Sequence, residues 1–300
     1  MLDLNAILHY NIKERRMILS SIKKLTQSDH EIVKSYIYQN FWGCIEIAKV
    51  FDKNGLKNKL SDKNSGDFLG FFTDENNLEG IFVFTNNRRF LLHVKNSDVT
   101  KKVDLLKAIK YYKPEFMSGP SEHVKMVWHM FERTVKRYKY SNSMYMVLED
   151  YQTLLNQFKE NESIREASKA DAKEQIKFFL ELEKHFGRNH MTINQLQNRI
   201  VERIGLKEYL VIDDGIRVVA QGFVEDKIKA FSQIGGIYTT PKFRNNGYAR
   251  TIVEHLSYYV IQNGNIPILA VLKDNDSAIK VYESLQFIAK VDFSIIELEF

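Results

Sequence analysis

The stretch Gly236-Ile-Tyr-Thr-Thr-Pro-Lys-Phe-Arg-Asn-Asn-Gly-Tyr-Ala-Arg250 constrains the fold of this chain more than any other. A strand pattern ends at Thr239, and Pro241 cannot continue a ladder in the middle of a sheet. Arg244-Asn-Asn-Gly247-Tyr-Ala249 then opens a long helical pattern. A strand that feeds a helix through a tight loop aims several backbone N–H groups at one place, which makes an anion site. Gly247 allows positive φ or close backbone approach, and Ala249 keeps the first turn thin. Arg244 and Arg250 can add charge-assisted contacts. No Gly-Lys-Ser/Thr follows, so this is not a Walker loop, and the three-glycine dinucleotide fingerprint is absent too. From the residues alone two readings stand. One is a cradle for phosphate or pyrophosphate; the other is an ordinary strand–loop–helix with exposed arginines.

The rest of the chain supplies the frame. Its 300 residues allow two domains at about 150 residues each. With 44% hydrophobic and 27% charged residues, it can build real cores, which excludes global disorder. The single cysteine, Cys44, excludes an internal disulfide framework and a multi-thiolate zinc site. No run of about 18 apolar residues and no signal-peptide pattern occurs, so a cytoplasmic protein without membrane contact is expected. The net charge of +5 comes from interspersed signs rather than a basic stripe, which argues against a nucleic-acid partner.

Hydrophobic periodicity predicts helices over Ile12–Leu25 and Glu31–Phe51, then short strands over Asp67–Thr73, Gly80–Phe84 and Phe90–Val94. A helix over Val103–Tyr112, a strand over Glu115–Met117 and a long helix over Ser121–Tyr138, capped by Ser121, precede a strand at Tyr145–Leu148. The second half repeats the order. Helices are expected over Asp171–Phe186 and Thr192–Ile204, then strands over Glu208–Asp213, Arg217–Phe223 and Ile228–Thr239. A helix over Asn246–Asn263, a strand over Ile266–Val271, a helix over Asp276–Leu285 and a strand over Ala289–Phe300 complete it. The weakly patterned, charged stretch Phe158–Ala170 places the division between 1–160 and 161–300.

Two later features join the loop. Asn275 stands at the turn after the strand Ile266–Val271, and Ala278-Ile-Lys-Val-Tyr282-Glu-Ser-Leu-Gln-Phe287 forms a short helix and its exit. Over about residues 205–293 the chain resembles the GNAT superfamily of acyl-CoA-dependent N-acetyltransferases. The pyrophosphate-loop pattern Arg/Gln-x-x-Gly-x-Gly/Ala is met by Arg244, Gly247 and Ala249; the later pattern of Asn, Ala, Tyr and Phe is met by Asn275, Ala278, Tyr282 and Phe287. Gln286 replaces the glycine usual before that phenylalanine, a departure expected to alter the turn. The resemblance extends to the subgroup in which a diverged acetyltransferase-like domain precedes the active one. It implies an α/β fold (an α+β mixed sheet) of tandem domains, each a mixed, mostly antiparallel sheet flanked by helices. The first half has no Arg-x-x-Gly-x-Ala after its strand Phe90–Val94, so it is expected to keep the scaffold without a cofactor loop.

The resemblance implies acetyl transfer from acetyl-CoA to a primary amine of a small molecule or peptide. Two parallel strands, the one ending at Thr239 and Ile266–Val271, would splay around the pantetheine arm. Backbone groups of Ile237, Tyr238 and Thr239 would bond its amides. Arg244, Asn245, Asn246, Gly247, Tyr248, Ala249 and Arg250 would hold the pyrophosphate. Tyr282 would protonate the departing thiolate, with a core aromatic as the competing role. Asn275 would position the helix or a cofactor amide together with Ala278, or simply form a turn. The alternative is an acyl-CoA-binding regulatory module without turnover. The sequence does not identify a general base. Glu225 and Asp226 read as charges in a turn and Glu208 as a surface charge at a strand start, while water and the terminal carboxylate of Phe300 stay open. Cys44, in an apolar helical stretch beside Phe41 and Trp42, reads as buried and inert. His123 and His129, six residues apart, do not make a same-face metal pair, and no metal is expected.

Overall fold

A computed structural model describes residues 21–73, 77–95, 97–101, 103–185, 192–204 and 208–300. The chain divides into two compact units. One takes the described residues up to Ser143 together with Val291–Phe300, and the other spans Met144–Lys290. The sequence-based division at 160/161 does not coincide with this split, because the last strand of the chain pairs within the first unit. Local patterning carries no signal for such an exchange.

In the first unit, β1 (Ser21–Lys24) leads through a 3-10 turn to α1 (His30–Gln39) and α2 (Phe41–Asn54). Then come β2 (Gly66–Phe72), β3 (Leu78–Thr85), β4 (Arg89–Val94), α3 (Val103–Tyr112), β5 (Phe116–Pro120) and α4 (Ser121–Trp128). β1 to β4 form an antiparallel run, β4 and β5 are parallel, and β12 (Ile288–Glu299) joins antiparallel to β5. β2, β3 and β4 read as almost unbroken apolar runs because both faces of the sheet are covered. Phe84 stacks between Phe90 at 4.5 Å and Tyr112 at 4.3 Å in that core.

The second unit repeats the element order. After β6 (Arg137–Val147), whose end it takes over, come α5 (Gln152–Gln157), β7 (Ile164–Glu166), α6 (Ala172–His185) and α7 (Ile193–Ile204). β8 (Tyr209–Asp213), β9 (Val218–Ile228), β10 (Phe231–Thr239), α8 (Tyr248–Gln262), β11 (Ile266–Leu272) and α9 (Asp276–Ser284) follow. β7 to β10 are antiparallel, and β10 and β11 are parallel. One face packs Ile252, Val253, Leu256 and Val260 of α8 on the sheet; the other packs Phe178, Phe179, Leu196 and Ile200 of α6 and α7. The fold is thus α/β, with a mixed sheet flanked by helices.

Several local expectations are corrected. The predicted helix Ile12–Leu25 lies mostly outside the described residues, and Ser21–Lys24 is a strand paired with β2. The predicted helix Glu31–Phe51 is two helices. The chain breaks at Asn40, whose side chain donates to the Tyr36 carbonyl at 2.7 Å and so competes with helix continuation. The predicted helix Ser121–Tyr138 stops at Trp128, and Ser121 is not its cap. Trp128 and Phe131 turn into the core, and from Arg137 the chain is a strand held by tertiary bonds: Tyr140 donates to Ser294 and Ser143 to the Phe293 carbonyl. Among the described residues no helix is long and apolar enough to cross a membrane.

Candidate active site

β10 and β11 pair only from Phe231–Ile234 against Ile266–Leu269. β10 then continues to Thr239, bonded on its other edge to β9 as far as Ala220. Past Ile234 the two parallel strands therefore part. The cause is a bulge. Gly235 pairs with Phe223 and Tyr238 with Gln221, so β10 carries an extra residue there and bends. Gly236 takes φ +63°, and a Cβ on it would lie 1.9 Å from Cε1 of Phe223. Gln221, fully buried, holds the distortion: it accepts from the Tyr209 hydroxyl at 2.7 Å and donates to the Gly236 carbonyl at 3.4 Å. Ile237, Tyr238 and Thr239 follow the bulge and are half-buried.

The loop after β10 makes a 3-10 turn at Pro241–Phe243 and an extended residue at Arg244, whose Nε donates to the Thr239 carbonyl at 3.2 Å. Asn245 and Gly247 both take positive φ, +65° and +78°. Asn246 bridges the carbonyls of Phe243 and Arg244 at 3.0 and 3.2 Å. α8 then starts with a glycine cap that offers no side chain, and its first turn holds no acid. The Thr251 N–H bonds the Gly247 carbonyl at 3.0 Å, so the N–H groups of Tyr248, Ala249 and Arg250 precede the helical ladder. α1, α3, α4, α6 and α9 each carry an acidic residue in the first turn. α8, like α2, α5 and α7, carries none, which leaves the positive end of its dipole for an outside anion. A Cβ on Gly247 would meet nothing within 4 Å, so conformation rather than crowding calls for glycine there. Arg250 does not point freely at this end: its guanidinium donates to the carbonyl and the hydroxyl of Ser284 and ties α8 to the end of α9.

Asn275 caps α9, accepting from the Ala278 N–H at 3.2 Å and from the Ser277 hydroxyl at 3.0 Å. Tyr282, on α9, is buried, and that burial pushes its phenol up to about 12. Its hydroxyl bonds to no other described residue. The helix ends with the Phe287 N–H bonded to the Tyr282 carbonyl and the Gln286 N–H to the Glu283 carbonyl, and Gln286 itself takes φ +69°, a conformation that glycine adopts most readily.

The acidic residues move from their expected places. Glu208 is buried, not a surface charge, and pairs with Lys227. Glu225 and Asp226 lie inside β9 rather than in a turn. Asp226 pairs with Gln233 and Val224 with Ile234, which makes Glu225 the extra residue of a second bulge. Its carboxylate accepts from Gln233 at 3.0 Å and lies 2.8 Å from where a Cβ of Gly235 would stand. Phe300 belongs to the first unit and packs on Phe131. Cys44 is fully buried, and burial pushes its thiol up. Among the described residues no group of His, Cys, Asp and Glu could hold a metal. Gln221, Gln233 and the placement of Glu225 were missed; the Gly235-Gly236 pair inside a strand pattern is the signal that marks the bulge.

Among the described residues, the corresponding strands and helix of the first unit differ in two respects. Gly119 of β5 lets the Leu92 carbonyl of β4 approach to 2.3 Å from where its Cβ would be, which draws the parallel strands together at that point. The helix that follows β4, α3, carries Asp104 in its first turn.

The model of the FR47-like protein family matches residues 222–294, which contain both bulges, the loop and α9. No curated protein sequence matches the chain. Among solved structures, the chain is similar to a Drosophila protein (12% identity, TM-score 0.66, covering 93% of this chain and 99% of that one). It is also similar to a GCN5-related N-acetyltransferase from Sphaerobacter thermophilus (12%, TM-score 0.62, 93% and 95%). A GNAT-family acetyltransferase from Colwellia psychrerythraea aligns at 14% identity and TM-score 0.52, over 93% and 99%. At these identities the likeness is one of fold: the chain has the fold of the GNAT acetyltransferases.

Proposed function

We propose that the second unit transfers an acetyl group from acetyl-CoA to a primary amine of a small molecule or peptide, and that the first unit is a diverged copy of the scaffold without a cofactor loop. One observation carries this reading. The parallel strands part at a bulge, and the strand that bends away leads straight into a helix N-terminus with no acid and no side-chain cap. An elongated ligand whose pantetheine arm leads to a pyrophosphate fits both features at once. Backbone groups of Ile237, Tyr238 and Thr239 line the parted edge for the pantetheine amides. Asn245, Asn246, Gly247, Tyr248 and Ala249 present the loop and helix N–H groups to the phosphates, with Arg244 beside them. Arg250, engaged by Ser284, acts by bracing α8 against α9.

Acetyl-CoA supplies an activated thioester, whose C–S bond breaks as the amine nitrogen bonds to the carbonyl carbon. Backbone N–H groups at the bulge stabilise the oxygen that gains charge. Tyr282 gives its proton to the leaving sulfur and regains one from solvent. Since burial holds the phenol at about 12, it is protonated and ready to donate wherever the protein works. Glu225 is the carboxylate at the parting point of the strands and the base that takes the proton from the amine. Asn275 and Ala278 act through the helix: the cap fixes the start of α9 and hence Tyr282.

The test is calorimetric titration with acetyl-CoA together with release of free CoA thiol over an amine panel. Gly247→Asp puts bulk and negative charge at the helix start and should abolish binding in a folded protein. Unchanged affinity would refute the placement. Binding without thiol release for any amine would favour a regulatory acyl-CoA module instead.

A further inference from the structure

Gln221 and Tyr209 are 0% and 1% exposed, on the face of the sheet that α6 and α7 cover. Val211, opposite Gln221, and Phe223, opposite Tyr209, pack there with Phe178 and Phe179. Packing alone would be served by an apolar side chain, so the polar ends need a reason. The Tyr209 hydroxyl donates to Oε1 of Gln221 at 2.7 Å, and Nε2 donates to the Gly236 carbonyl at 3.4 Å. Only one orientation of the amide makes both bonds, since a flipped amide would set Oε1 against the Gly236 oxygen. Tyr209 thus locks Gln221, and Gln221 holds the Gly236 carbonyl. The same peptide carries the N–H of Ile237, and in a trans peptide the two point in opposite directions. The ladder agrees. Thr240 N–H bonds the Val219 carbonyl and Tyr238 pairs with Gln221, so Tyr238 turns its backbone groups to β9 and Ile237, one residue earlier, turns its own to the opposite edge. That is the edge from which β11 has parted, because its register with β10 ends at Ile234 and Leu269. A donor on the carbonyl also strengthens the N–H of its peptide, as bonds in a chain polarise one another in a low-dielectric interior.

We infer that the Tyr209–Gln221 pair aims the Ile237 N–H into the gap and polarises it, so that this donor meets the carbonyl oxygen of a bound acyl group. The inference rests on the reading of the gap as the acyl-CoA site, and it adds two residues that lie outside the cofactor loop. Neither exchanges a proton or touches a reacting atom. As the amine nitrogen bonds to the carbonyl carbon, an electron pair of the C=O bond moves onto oxygen. The aimed N–H stabilises that charge until the pair returns and the C–S bond breaks. Gln221 and Tyr209 are positioning residues in that step.

The test reads the carbonyl itself. The probe is the ketone analogue of acetyl-CoA, in which a methylene replaces the thioester sulfur so that no transfer occurs, isotopically labelled at the carbonyl carbon and followed by carbon NMR. Its resonance should move downfield on binding to the full chain, the response of a carbonyl to a strong hydrogen-bond donor. In Gln221→Met, which keeps the length of the side chain but not the amide, the displacement should be lost while the dissociation constant stays unchanged; in Tyr209→Phe it should shrink. In the thiol-release assay Gln221→Met should lower kcat about 10- to 100-fold, less than for a donor removed outright, at an unchanged KM for acetyl-CoA. If Gln221→Met does not melt cooperatively, Tyr209→Phe, which loses a single hydroxyl, carries the test. An equal displacement in wild type and variant overturns the inference and leaves the acyl-CoA site standing. So does a variant that binds more weakly yet shows the full displacement once saturated, which would make the pair structural only. Binding to the wild type without displacement overturns it too, because no N–H is then aimed at the carbonyl. A wild type that does not bind the analogue refutes the acyl-CoA reading itself, and the inference with it.

Discussion

Gly236→Ala is the sharpest test of how the site is built. Two effects add at this position. The first is conformational: at φ +63° an alanine Cβ crowds the backbone, at about 1–2 kcal/mol. The second is steric. The new Cβ would lie 1.9 Å from Cε1 and 2.2 Å from Cζ of Phe223. Phe223 cannot step aside, because Phe179 stacks on it at 5.4 Å, Tyr209 lies at 5.1 Å, and the Arg203 guanidinium sits 4.1 Å over its ring. Such overpacking costs about 1–3 kcal/mol. Alanine returns about 0.4–1 kcal/mol by narrowing the unfolded ensemble. The sum is a loss of about 2–4 kcal/mol. Gly247→Ala is the internal control, with a similar φ of +78° but nothing within 4 Å of the new methyl, so the steric part vanishes and the loss is about 1 kcal/mol. Urea unfolding followed by far-ultraviolet circular dichroism reads both, as shifts in midpoint at constant slope. The reasoning also requires that Gly236→Ala weaken acetyl-CoA binding, since the displaced bulge carries the edge that faces the gap. Equal losses in the two variants would refute the claim that Phe223 enforces the bulge.

Other outcomes follow from the same structure. Tyr282→Phe should lower kcat by roughly 10- to 1,000-fold with little change in acetyl-CoA affinity; with the wild-type phenol at about 12, that ratio should not vary with pH until about two units below that value, and a ratio that collapses earlier would assign the proton to another group. Gln286→Gly should stabilise the protein by up to about 1 kcal/mol, the relief of a left-handed glutamine less the entropy glycine adds to the unfolded chain, and a thermal shift downward would contradict this. His93 is buried, bonded to Tyr36 at 2.7 Å, and 4.7 Å from the His123 ring, and burial, then His123 and Lys95, lower its pKa to about 3. The unfolded state therefore takes up a proton that the folded state refuses. Stability contributed by the neutral ring is complete above the ordinary histidine range and is lost as pH falls from about 6.5 toward 3, by up to about 1.4 kcal/mol per pH unit. Urea midpoints between pH 6.5 and 4.5, above the range where Asp67 and Asp171 protonate, should flatten in His93→Gln.

What the sequence determined by itself is local and short-range. The loop from Pro241 to Gly247, the helix start at Tyr248, the cap at Asn275 and the strands on either side are legible because each depends on residues within a turn or two. Proline cannot donate to a ladder, glycine tolerates positive φ, and asparagine accepts from the N–H three residues on. Tertiary structure decided the rest. The run Ser121–Tyr138 has helical periodicity, yet its second half is turn and strand, because Trp128 and Phe131 are buried and Tyr140 and Ser143 find partners in the chain's last strand. That Gln286 takes the left-handed conformation after α9 is likewise a tertiary outcome, because burying Phe287 and closing two hydrogen bonds outweighs the strain of one left-handed residue. Glu225 looked like a surface charge in a turn. Only the pairing of β9 with β10, out of step by one residue, lifts it from the ladder and sets it against Gly235 and Gln233. Register between strands is a long-range property, set by which faces must be buried, and a single chain read along its length does not contain the partner against which it is counted.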